Sequence, residues 1–118
     1  MPFDWWDFFA IAEEFSKSPN DEALSRSAIS RYYYACHNVA RPYFQTAHPH
    51  QELWAAFKAD PDRGYKQIGA KGDRLRLARN KADYDNTLPP QELTTARMIA
   101  ISLQQLLKSV TTTGTPNP

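Results

Sequence analysis

Residues 93–110, LTTARMIAISLQQLLKSV, decide the fold class. Leu93, Ala96, Ala100, Leu103, Leu107 and Val110 recur at steps of three and four, with Ile99 and Leu106 beside them. That period lays one apolar stripe along an α-helix. No segment alternates with period two over a useful length, so no strand is expected. In front of this helix NTLPP, residues 86–90, reads as a loop, and Pro90 suits a first helical turn. Before the loop, Ile68, Leu75, Ala78 and Ala82 supply the seam of a helix from about Lys66 to Tyr84. Gly69 or Gly72 is expected to interrupt it.

Further upstream, DPDRG (60–64) is a turn, and ELWAAFKA (52–59) is a short helix restarted by HPHQ (48–51). A longer helix starts near Asn20 or Asp21 and runs past Ala40 until Pro42 ends or kinks it. Leu24, Ala28, Tyr32, Ala35 or Cys36, and Val39 form its buried face. The first helix runs from about Asp4, a suitable N-cap, to Lys17. Trp5, Phe8, Phe9, Ala12 and Phe15 share one face, widened by Trp6 and Ile11. So much aromatic surface predicts full burial, in part across a subunit contact. The expectation is an all-α, antiparallel four- to five-helix bundle. Residues 1–110 form its single domain, and 111–118, TTTGTPNP, form a flexible tail.

A chain of 118 residues supports one modest core. The net charge of +1 gives the whole molecule no pull on nucleic acid, so any basic footprint is local. Cys36 is the only cysteine, which excludes an internal disulfide and a zinc ladder and fits a reducing compartment. The start, MPFDWWDFFAIAEEF, carries Asp4, Asp7, Glu13 and Glu14 and no basic segment. It reads as neither a signal peptide nor a membrane span. A cytoplasmic location without membrane association is expected. His48 and His50 flank a proline without a third ligand nearby, so no metal is expected. No glycine-rich phosphate loop is present, and no cofactor is expected.

The chemistry concentrates in RLARNKADYD, residues 76–85. Arg76, Arg79 and Asp83 fall at i, i+3 and i+7 and share a helix face, with Asn80 and Tyr84 alongside. Guanidinium forks suit phosphate. From Arg63 to Lys81 the basic residues Arg63, Lys66, Lys71, Arg74, Arg76, Arg79 and Lys81 face one acid, Asp73. Such a patch attracts a polyanion by releasing counterions; the plain alternative is a solvated surface paired with acids elsewhere. On the second helix Ser27, Arg31, Tyr34 and Asn38 step along one side, with Ser30 and His37 adjacent. Arg31 either pairs with Asp83 or Asp85, fixing the second helix to the fourth, or contacts a ligand. Tyr33 and Tyr34 read as core residues with wet hydroxyls. His37 is another candidate acid or base, although a lone His in an aromatic helix is more often structural.

RSAISRYYYACHNVARPYF followed by LRLARNKADYDN resembles the HEPN superfamily, small helical bundles of bacterial toxin–antitoxin and phage-defence systems. Ser30, Arg31, Tyr33, Tyr34 and Ala35 carry one half of the resemblance, and Arg79, Ala82, Asp83 and Tyr84 the other. It covers nearly the whole chain. The resemblance implies a homodimer and metal-independent RNA cleavage at an Arg, a following polar residue, and a His four to six residues after the Arg. Arg79 and Asn80 match the first half; the His is absent, and Tyr84 stands nearest, between Asp83 and Asp85. Cleavage through the 2′-hydroxyl needs a proton acceptor, a donor and charge stabilisation. Arg79 suits the last, Asp83 or Asp85 the first, and a tyrosine can donate. A phenol of ordinary pKa near ~10 is a poor base. The implied catalytic set is Arg79, Asn80, Asp83 and Tyr84, with Arg31, Arg74, Arg76 and Lys81 holding RNA. Family members lacking the full motif imply an alternative: a silent dimerising, nucleotide-binding subunit that partners a nucleotidyltransferase or another effector.

Overall fold

The structure, a computed structural model, describes residues 2–113, with side chains through Val110. Five α-helices follow one another: α1 (Trp6–Phe15), α2 (Glu22–Ala40), α3 (Pro49–Ala59), α4 (Arg63–Tyr84) and α5 (Glu92–Thr113). One 3-10 turn, Arg41–Tyr43, follows α2, where Pro42 stops the helix. No strand occurs among the described residues. None of their helices is long and apolar enough to cross a membrane.

α2, α4 and α5 pack against one another; α1 lies on α2, and α3 lies on α4. Ile29, Tyr32, Tyr33, Leu75, Leu103 and Leu107 are fully buried among them. Asp21 caps α2 by accepting the Leu24 N–H at 3.1 Å, and Asp62 caps α4 by accepting the Tyr65 N–H at 3.0 Å. At the start of α1, Asp4 accepts the Trp6 N–H at 3.0 Å. Glu13 ties three helices together. Its carboxylate accepts from Tyr32 Oη at 2.9 Å and from Arg97 Nε at 2.7 Å. Burial pulls this carboxyl up, but the bonds from Arg97 and Tyr32 outweigh it and hold it below its ordinary range.

Three expectations are corrected. α4 is unbroken and begins at Arg63, because Asp62 caps it and its glycines meet α3 instead of ending the helix. A Cβ on Gly72 would lie 2.1 Å from the Trp54 ring, and one on Gly69 would lie 2.6 Å from the Lys58 nitrogen. Glycine at both positions lets the two helices approach. Secondly, within one protomer α1 buries only Phe9 and Ala12; Trp5, Trp6, Phe8 and Phe15 are half-buried and Ile11 is exposed, so the rest of this face is left to the expected subunit contact. One short helix on a neighbour covers one stripe, not its whole circumference. Thirdly, residues 111–113 continue α5 and are not tail, while 114–118 lie outside the described residues.

Candidate nucleic-acid interface

The α2 stripe and the end of α4 meet in a groove of about 430 Å³, lined by Ser27, Ser30, Arg31, Tyr34 and Asp83 with Phe8 and Arg26. Arg31 lines it, and Arg79 lies behind its wall residues Tyr34 and Asp83. Arg79 is only 8% exposed. Its guanidinium carbon lies 5.2 Å from the Tyr33 ring centre and 5.5 Å from that of Tyr34. Nη1 donates to Tyr34 Oη at 3.5 Å and faces Asp83 Oδ2 at 3.5 Å. Both contacts are long, and Nε is buried with no partner. Arg31 repeats the pattern: its guanidinium lies 5.2 Å from the Phe8 ring centre and 5.9 Å from that of Phe15, and its Nε is also buried and unpartnered.

Arg31 therefore does not pair with Asp83 or Asp85; the rings of α1 hold it. Arg26 is the residue that pins α2 to the end of α4. Its Nη1 donates to the carbonyls of Ala82 at 2.9 Å and Asp85 at 2.7 Å. Those are orphan acceptors of a helix C-terminus, where a cation also meets the helix dipole.

The other expected site residues scatter. Asn80 is half-buried, and Tyr84 is 74% exposed with its ring turned to solvent. Arg76 donates to Asp73 Oδ1 at 3.0 Å, and Lys58 takes the other oxygen at 3.0 Å. The pull of burial on Asp73 is outweighed by these two cations, and its carboxyl sits below its ordinary range. Arg74 and Lys81, seven residues apart, share the far side of α4. Arg74 lines a separate groove with Ser102 and Leu106 of α5, and Lys81 pairs with Glu92 at 3.3 Å. The basic excess of the sequence is thus divided over two faces.

A cluster unmarked in the sequence lies beside Arg79. His37 of α2 and His50 of α3 stack with ring centres 4.3 Å apart. His50 Nδ1 is 3.1 Å from Tyr33 Oη, which accepts Trp54 Nε1–H at 3.2 Å. Burial, then the neighbouring His50 and Arg41, push His37 down to about 4. Burial, then Arg79, Arg41 and Arg76, depress His50 as well. Both rings are neutral at pH 7. A second groove, of about 660 Å³, is lined by residues that include Trp5, Asn38, Arg41 and Pro49. No group of three His, Cys, Asp or Glu side chains among the described residues is placed to hold a metal. Only the helical step from Tyr33 to His37 hinted at the cluster; nothing in the sequence links either to His50. Compared with family models, curated proteins and solved structures, the chain finds no significant match in any of the three.

Proposed function

We propose that the chain is a HEPN-type, homodimeric component of a bacterial toxin–antitoxin or phage-defence system, and that it binds RNA in the groove between α2 and α4. One observation carries this reading: Arg31 lines a groove whose wall residues Tyr34 and Asp83 contact Arg79, and both guanidinium groups lie over aromatic rings with a buried Nε–H that no protein group accepts. A phosphate in the groove would meet half-buried Arg31, which lines it, with Arg79 adding positive charge behind Tyr34. The aromatic rings hold both guanidinium groups flat, which suits them to a bound polyanion.

Metal-independent cleavage is the reaction such a component would perform. Its acid–base set would have to be built differently from the one implied on α4, since Asp83 faces Arg79 and Tyr84 turns away. The Arg79–Asp83 pair is the observation that favours a second reading, a silent subunit that binds a nucleotide and partners a nucleotidyltransferase or other effector. The deciding experiment measures binding and cleavage of RNA in EDTA by wild type, Arg31→Ala and Arg79→Ala. Binding that drops roughly tenfold or more in each variant supports the groove. Cleavage by wild type alone supports the nuclease. Binding unchanged in both variants refutes the reading, as does cleavage retained in Arg79→Ala for the nuclease.

A further inference from the structure

The hydrogen-bond chain Trp54–Tyr33–His50 fixes where one proton sits. Trp54 Nε1 can only donate, and it donates to Tyr33 Oη. Tyr33 is fully buried, so its single hydroxyl proton has one acceptor within reach, His50 Nδ1. A neutral imidazole that accepts at Nδ1 carries its own proton at Nε2. His50 Nε2 makes no hydrogen bond to any described residue. The ring is half-buried, and Nε2 is not sealed from solvent as the two nitrogens of His37 are. His37 stacks on this ring with the two planes 18° apart. Three arginines, Arg79, Arg41 and Arg76, act on His50 and oppose a fourth positive charge. His50 also stands in the first turn of α3, where the backbone dipole favours an anion and disfavours a cation.

We propose that His50 is a phosphate-binding residue, held as a neutral Nε2–H donor by the Trp54–Tyr33 chain, and that it contacts one RNA phosphate beside Arg79. This rests on the RNA-binding reading and extends the site onto α3. It assigns His50 the work of a fixed dipole, not of a base: with Nδ1 occupied and Nε2 protonated, the ring has no free lone pair to take a proton. Phosphate is the shared chemistry. An internal phosphodiester and the terminal phosphate of a mononucleotide are its two sources.

The test combines nitrogen-detected histidine NMR at pH 7 with binding of two probes, a short RNA lacking terminal phosphates and uridine 5′-monophosphate. Wild type should show His50 as the Nε2–H tautomer, and its Nε2 signal should move with the probe that binds. The tighter probe identifies the source. Affinity for the RNA should not fall as pH rises from about 6.5 to 8, the range over which a cationic histidine contact would fade. His50→Gln keeps a donor at that place and should bind within a few-fold of wild type. His50→Phe should lose roughly tenfold. An Nδ1–H or cationic ring in wild type, or His50→Phe binding as wild type does, overturns the proposal. If those results come with RNA binding that still depends on Arg31 and Arg79, the groove stands and only His50 falls. If wild type binds neither probe, the RNA-binding reading falls and His50 with it.

Discussion

Gly72 is a glycine because Trp54 fills the space a side chain would need: a Cβ there would lie 2.1–2.4 Å from three ring carbons. Gly72→Ala gains up to ~1 kcal/mol of helix propensity but forces the indole to move. Overpacking of this kind costs about 1–3 kcal/mol. The shift would also disturb the Trp54 Nε1–H to Tyr33 bond. Urea unfolding should therefore show a lowered midpoint with an unchanged slope. A midpoint at or above that of wild type would mean that the indole slides aside freely. His37 gives a second prediction, for pH. It faces His50, Tyr33, Arg41 and Arg79, with no carboxylate among them. Unfolded, an imidazole protonates near ~6.5; in the fold His37 does so near about 4. Between those values the unfolded chain binds the extra proton. Stability is full above ~6.5, falls as pH drops, and levels off below about 4. The loss between pH 6.5 and 5 should be about 2 kcal/mol, and His50 adds to it in the same direction. Glu13 and Asp73 are depressed carboxylates, so their losses come at lower pH. Denaturation midpoints at pH 5, 6 and 7 check this, with His37→Phe flattening the slope; a flat wild-type profile contradicts it.

At the scale of elements, the last turn of α4 is held from outside. Arg26 Nη1 donates to Ala82 and Asp85 carbonyls, while Arg26 Nε keeps Glu22 at 3.3 Å. Arg26→Gln should cost about 1–2 kcal/mol and fray that turn. Hydrogen exchange at the amides of residues 83–85 should rise well above that of the α4 centre; protection equal to wild type would show that the turn holds itself. Arg26 was silent in the sequence because a surface-like arginine on α2 has no local pattern that names carbonyls nearly sixty residues away. α5 was legible because one side of it alone faces the core, so its stripe is narrow and regular. From sequence α4 reads one turn short and broken, because glycine as helix breaker and glycine as close-packing surface look alike until Trp54 is placed against them. The site followed the same rule. Arg79, Asp83, Arg31 and Tyr34 were legible from helical spacing on two segments. His50 was not, because it joins them only through the packing of α3 on α4 and a hydroxyl of α2.

For the whole molecule, charge decides how RNA would be held. The chain carries a net +1, and its basic segment does not act as one patch. Asp73 engages Arg76 and Lys58, Glu92 engages Lys81, and Arg74 lies on the side facing α5. Arg31 lines the groove with no acidic partner among the described residues, and Arg79 stands behind the groove wall with only long contacts to Tyr34 and Asp83. RNA binding by one protomer should then release few counterions. For single strands the slope of log K against log salt is about −0.7 per phosphate neutralised, so two arginines give roughly −1.5. Engagement of all seven basic residues between Arg63 and Lys81 would instead give a slope near −5. A homodimer, visible in light scattering at twice the 13.5 kDa of the chain, would double the slope for an RNA spanning both grooves. The two kinds of contact separate on the same plot. Arg31→Ala should lower the affinity and flatten the slope by about 0.7, because a counterion-releasing charge is gone. His50→Phe should lower the affinity and leave the slope untouched, because a neutral donor releases no counterion. A slope that flattens in His50→Phe would mean that the ring binds RNA as a cation, against both its place among three arginines and the hydroxyl that occupies its Nδ1.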